Sequence, residues 1–163
     1  MATPDSTNPA DPTFLDGYLP YLLRRADQTL SEPFYAVLTR YGVARSEWRV
    51  LAVLHQLGPM GVVDLADAAL SPQPTVTHAV RRLEQRDLVS RRPGATDRRQ
   101  RIISVTGPGA ELTETLIAEA TRLSADALHD AGDLTELVAL LRDLTESVAA
   151  RIAATPTRQE QAG

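Results

Sequence analysis

The chain has 163 residues, no cysteine and no lysine, 43% hydrophobic residues and a formal net charge of −4. That length fits one domain, or a reading lobe with a helical lobe attached, with enough apolar residues for a core. The missing cysteine excludes disulfides, thiolate metal sites, a cysteine nucleophile and a thiol redox sensor, and the acidic balance argues against a wholly basic architectural protein.

The opening MATPDSTNPADPT is polar and proline-rich. It has neither the basic nor the apolar region of a secretory signal. No apolar run approaches the roughly 18 residues of a membrane helix. A cytoplasmic protein with no membrane partner is expected. Residues 1–12 and 155–163 read as disordered tails.

The first helix is predicted from about Thr13 to Tyr41, where Leu15, Leu19, Leu22, Ala26, Leu30, Val37 and Tyr41 form one apolar stripe. Pro20 and Pro33 are positions where it can kink or split, and Gly42 ends it as a left-handed cap. Ser46 and Glu47 mark the start of a second helix that runs to Leu57. Gly58-Pro59-Met60-Gly61 reads as a turn. A short helix follows from Val63 to Leu70, with Leu65, Ala66 and Ala69 inward. Ser71 caps the next helix, Pro74 stands near its first turn, and it runs to about Arg86. Asp87 occupies the left-handed position after it, where glycine is usual.

Leu88–Arg92 and Arg101–Val105 read as paired strands, with Pro93-Gly94-Ala95-Thr96-Asp97 as the tip between them. Gly107-Pro108-Gly109 is expected to break the chain. Two helices close it, about Ala110–Ala131 and Leu134–Ala154. The last carries Leu137, Leu140, Leu141, Leu144, Val148 and Ile152 at helical spacing. Stripes this apolar need a partner, and with the first helix they predict a two-fold homodimer.

Helix, strand, arginine-rich turn and strand are the parts of a winged helix-turn-helix, which sets a helix in the DNA major groove and a hairpin against the backbone. The expected fold class is therefore mainly α (α+β): a winged helix-turn-helix lobe over 46–106, with dimerisation helices over 13–45 and 107–154. Charge agrees. Between Ser71 and Thr106 eight arginines face three acidic residues. A basic island on an acidic chain is the footprint of a phosphate-binding face.

Within Pro74–Arg86, Val76, Val80 and Leu83 share one face and are expected in the core. Ser71, Gln73, Pro74, Thr75, Thr77, His78, Arg81 and Arg82 form the expected DNA-facing set. Arg82 can reach guanine or phosphate, and His78 a guanine edge or a phosphate; the sequence does not choose. Arg98 and Arg99 are expected to contact DNA from the wing, where one arginine can enter a narrow minor groove. Asp97 can instead pair with one of them and shape the hairpin.

These residues carry a resemblance. Ser46-Glu47-Trp48-Arg49-Val50-Leu51, Pro74-Thr75-Val76-Thr77, Arg82-Leu83-Glu84, Leu88-Val89, Asp97-Arg98-Arg99 and Val105-Thr106-x-x-Gly109 closely resemble the MarR family of bacterial transcription regulators, over roughly Phe14 to Ile152. The resemblance implies a dimeric winged helix repressor of a pseudo-palindromic operator, released by a small aromatic or anionic effector. It places Pro74, Thr75 and His78 on bases and Arg98 in the minor groove. It implies a pocket for which Tyr18, Tyr21, Tyr35, Trp48, Arg49 and His55 are candidate liners, although core packing explains each residue type equally well. The chain departs from the family in carrying His78 where arginine is common and Asp87 where glycine is usual.

Other classes fit less well. A metal-responsive regulator of the same fold needs clustered ligands, and His55, His78 and His129 are scattered; no metal or cofactor is expected. An enzyme is not expected, because no phosphate loop or nucleophile motif is present. A winged helix that binds only protein would have no use for the arginine set.

Overall fold

The computed structural model describes residues 14–94 and 101–154. Both expected tails, the Thr13 start of the first helix, and Asp97, Arg98 and Arg99 of the wing lie outside the described residues. The chain divides into two compact units between Ala125 and Asp126.

The first unit opens with α1 (Phe14–Gly17) and α2 (Leu19–Arg40). The expected single helix is split at Tyr18, whose backbone is extended (φ −84, ψ 98). Pro20 lies in the first turn of α2, where its missing N–H leaves no bond unmade, so it sets a start rather than a kink. Pro33 lies inside α2 without ending it. Gly42 follows in the left-handed region (φ +63), as expected.

Helix α3 (Arg45–Leu57) begins one residue before Ser46, with Ala44 in the cap position. Glu47, in its first turn, reaches back to accept the Ala44 N–H at 2.8 Å, which satisfies the backbone donor at the cap position. The predicted turn after α3 holds a strand instead. Met60–Gly61 forms β1 and pairs with Ile103 and Ile102. Two residues are too few to show alternation, so this strand exists only through its partner.

Helix α4 (Val62–Ala68) ends earlier than expected, because Leu70 turns into the left-handed region at φ 50. Ser71 does not cap α5 (Gln73–Glu84); Pro72 holds that position, and the Ser71 hydroxyl donates to the Ala69 carbonyl at 3.1 Å. Helix α5 stops two residues short of Arg86, and Asp87 then takes φ 55. Strands β2 (Val89–Pro93) and β3 (Arg101–Val105) are antiparallel, with Val89 opposite Val105 and Pro93 opposite Arg101. The sheet order is β1-β3-β2.

Helix α6 (Gly107–Ala127) begins inside the run expected to break the chain. Pro108 costs nothing in a first turn. Gly109 is required by contact: an added Cβ would run into the Leu88 carbonyl oxygen and the Val105 side chain. The Thr106 hydroxyl donates to the Asp87 carbonyl at 2.6 Å and accepts the Gly109 N–H at 3.2 Å. One side chain thus ties the end of α5, the sheet and the start of α6 together.

Two apolar clusters hold this unit. Val50, Leu51, Leu54, Leu65, Val76, Val80, Leu83 and Ile103 fill the winged helix core. Phe34, Val37, Leu38, Val43 and Leu116 join α2, the α2–α3 turn and α6. Each such side chain contributes roughly 1.5–3 kcal/mol when fully buried.

The second unit carries α7 (Thr135–Ala154), which has no buried residue. Asp133 accepts the Thr135 hydroxyl at 2.6 Å and its N–H at 2.9 Å. These bonds hold its carboxyl below the ordinary aspartate value. Among the described residues, no helix is long and apolar enough to cross a membrane.

Candidate nucleic-acid interface

Helix α5 has two unlike faces. Val76, Ala79, Val80 and Leu83 are buried. Gln73, Pro74, Thr75, Thr77, His78, Arg81 and Arg82 are all exposed, and Ser71 is half-buried at the turn before them. Gln73, Pro74, Thr77, His78 and Arg81 border one concavity along the helix. The sequence therefore folds its polar expected readers onto one accessible surface. The cause is the spacing of the apolar residues, which leaves no other side free to pack.

The arginines of the basic island divide by partner. Arg82 places Nε 2.8 Å from Glu47 Oε1, and Arg86 places Nη1 3.6 Å from Glu47 Oε2. Arg86 also donates to the Gly42 carbonyl at 2.8 Å. Arg91 pairs with Glu84 at 3.2 Å, linking β2 to α5. Arg81, Arg92 and Arg101 are exposed, with no ion pair among the described residues. Arg82 still exposes 51% of its side chain, so it faces solvent while its charge is engaged.

Glu47 is the centre of this arrangement and is 0% exposed. Its Oε2 takes the Ala44 N–H, while Oε1 meets Arg82 as a charge without an aligned hydrogen bond. A buried carboxylate is tolerated only when paired. Glu47 therefore locks the start of α3 to the C-terminal half of α5. Sequence reasoning placed Glu47 only at a helix start; burial of a glutamate three positions past a helix cap leaves no separate pattern. The Glu84–Arg91 pair was likewise not foreseen.

The six candidate pocket residues are not brought together. Tyr35 and Arg49 line one cleft beside the turn that opens α5. Trp48 instead meets Phe34 edge-on, ring centroids 5.0 Å apart, against the second apolar cluster. Tyr18 stacks on Phe14 at 4.8 Å. Tyr21 is exposed and His55 is half-buried in the last turn of α3.

A three-stranded antiparallel sheet behind a helix with one buried and one polar, arginine-bearing face defines a winged helix DNA-binding protein. The MarR family model matches residues 43–100. The repressor NicR of Pseudomonas putida is 30% identical over 149 residues, covering 89% of this chain and 94% of NicR. A MarR family regulator from Silicibacter pomeroyi DSS-3 is 32% identical, with TM-score 0.70 over 82% of this chain and 98% of that one. The structure of NadR with 4-hydroxyphenylacetate is 25% identical, with TM-score 0.71 over 91% of this chain and 98% of NadR. The chain belongs to the MarR family and is a DNA-binding transcription regulator.

Proposed function

We propose that the protein is a homodimeric repressor that binds a pseudo-palindromic operator and leaves it when a small aromatic or anionic effector binds. It catalyses no reaction and works in the cytoplasm. The 46–106 lobe reads DNA, and helices from 13–45 and 107–154 pair the two copies. The observation that carries this reading is the exposed polar face of α5. Pro74, Thr75 and His78 touch bases, and Arg81 and Arg82 sit toward the backbone end of the same helix. Arg98 and Arg99 serve the wing, with Asp97 shaping it. The effector enters where α2, α3 and α6 meet, a region in which Tyr35 and Trp48 are half-buried. NadR, crystallised with 4-hydroxyphenylacetate, supports that chemistry.

Footprinting on the DNA upstream of the gene tests the reading. Two major-groove contacts about one helical turn apart, roughly 10 bp centre to centre, are expected. A single asymmetric half-site overturns the dimeric reading. Titration with 4-hydroxyphenylacetate and related hydroxyaromatic acids should lift the footprint for at least one of them.

His78→Ala should change base preference more than affinity. A base contact is worth about 1–3 kcal/mol and is lost only on the cognate base. Binding to a randomised operator library reads this directly. A uniform loss on every sequence would make His78 a backbone contact.

A further inference from the structure

A cleft of about 670 Å³ lies between the middle of α2, the first turns of α3 and the turn into α5. Arg24, Arg45 and Arg49 border it, against one carboxylate, Asp27. The three guanidinium groups are poorly matched inside the protein. Arg24 forms no ion pair with any described residue. Arg45 has Glu32 only at 4.0 Å, both side chains largely exposed. Arg49 donates to the Ser71 hydroxyl at 3.4 Å, a long contact for a hydrogen bond. The cleft is not suited to an aromatic guest, because its one ring, Tyr35, already carries the Arg45 guanidinium 3.4 Å over its face. Thr75 adds a hydroxyl donor at the wall nearest α5, where the Ser71 hydroxyl already donates to the Ala69 carbonyl.

Guanidinium groups that border one cleft repel one another unless an anion lies between them. Their planar forks match the paired oxygens of phosphate and carboxylate. We propose that this cleft is an oxyanion site that holds a phosphate or carboxylate group through Arg24, Arg45 and Arg49; it borders the effector region assigned above, with which it shares Tyr35. Two sources offer that group: a small hydrophilic polyanion in solution, or a backbone phosphate of the operator beside the start of α5. Either source places a charge against the Arg49–Ser71 contact, where the reading helix begins.

The experiment uses the full chain, with Arg24→Gln and Arg49→Gln as separate variants. Arg25→Gln removes the same charge one residue away from the cleft and serves as the control. Calorimetric titrations with inorganic phosphate and with citrate are run without DNA at fixed ionic strength. Operator affinity is then measured across a salt series. Saturable anion binding, weakened about tenfold or more in Arg24→Gln and Arg49→Gln but not in Arg25→Gln, identifies a free anion; that is the effect of losing one charge-assisted hydrogen bond. Absence of such binding, with the log–log salt slope of operator affinity reduced by about 0.9 in the cleft variants alone, identifies a backbone phosphate. The proposal is overturned if neither effect is seen, or if Arg25→Gln reproduces both. Unchanged thermal melting of Arg24→Gln, whose exposed side chain pairs with no described residue, keeps the result free of folding effects.

Discussion

Glu47→Ala should destabilise the protein by about 2–3 kcal/mol. Breaking a buried ion pair by removing one partner costs about 3–5 kcal/mol. The lower figure applies because Arg82 and Arg86 keep part of their hydration, with 51% and 37% of their side chains exposed. The substitution also frees the Ala44 N–H. Melting should fall by about 5–10 °C for a chain of this size. Operator affinity should fall as well, since α5 loses its polar tie to α3. Glu47→Gln separates the parts: it keeps the shape and one acceptor but not the charge. A double-mutant cycle with Arg82→Ala should return a coupling of roughly 1–2 kcal/mol. Wild-type melting in Glu47→Ala would show that the clamp contributes nothing.

The second large effect is on assembly. Helix α7 is 20 residues long and buries none of them. Leu140 and Ile152 are 65% and 70% exposed, and Leu137, Val138 and Val148 nearly half exposed. Helices held only by their own propensity are marginal in water, so packing against a partner must supply most of the stability. On α2, Leu19, Leu22, Leu23 and Leu30 are also exposed. A second copy of the chain is the proposed cover. Changing Leu141 and Leu144 together to aspartate should place unpaired charges in that interface, at several kcal/mol. Monomer or aggregate is the expected result in light scattering, with operator affinity largely lost. A well-formed dimer of unchanged affinity would remove α7 from the interface.

Much of this arrangement was legible in the residues, for reasons that differ by element. The α5 faces follow from Val76, Val80 and Leu83, because burial at helical spacing fixes every other position on the helix. Asp87 and Gly42 were readable as left-handed positions from their place after helical runs. The α6 start was not. Gly107-Pro108-Gly109 carries breaker residues whose opposite use, as a first turn and a close contact with Leu88, depends on a strand end brought there by the fold. The same holds for β1, which is defined by Ile102 and Ile103 far along the chain. At the site, the exposed α5 residues were foreseen one by one. The engagement of Arg82, Arg86 and Arg91 was not, because a count of arginines does not say which carboxylates fold beside them. The pocket residues were chosen by type, which does not say where each side chain goes: Trp48 meets Phe34 edge-on, whereas Tyr35 and Arg49 line one cleft.

The two ends of α5 are anchored very unequally. Its C-terminal half is held by Glu47 through Arg82, with the Asp87 carbonyl fixed by Thr106 just beyond. Beside its N-terminal end, the polar tie from α3 among the described residues is the long Arg49–Ser71 contact. In its polar ties alone the helix is mounted like a lever with its fulcrum at the rear, while Val76 and Ala79 hold its front half to the core by apolar packing. Twelve residues span about 18 Å at 1.5 Å per residue, so a tilt of about 5° at the fulcrum moves the front by about 1.5 Å. Gln73, Pro74 and Thr75 ride on that moving end, whereas Arg81 and Arg82 hardly travel. A small torque on the front of α5 would therefore spoil base contacts first and leave the charges near the fulcrum in place.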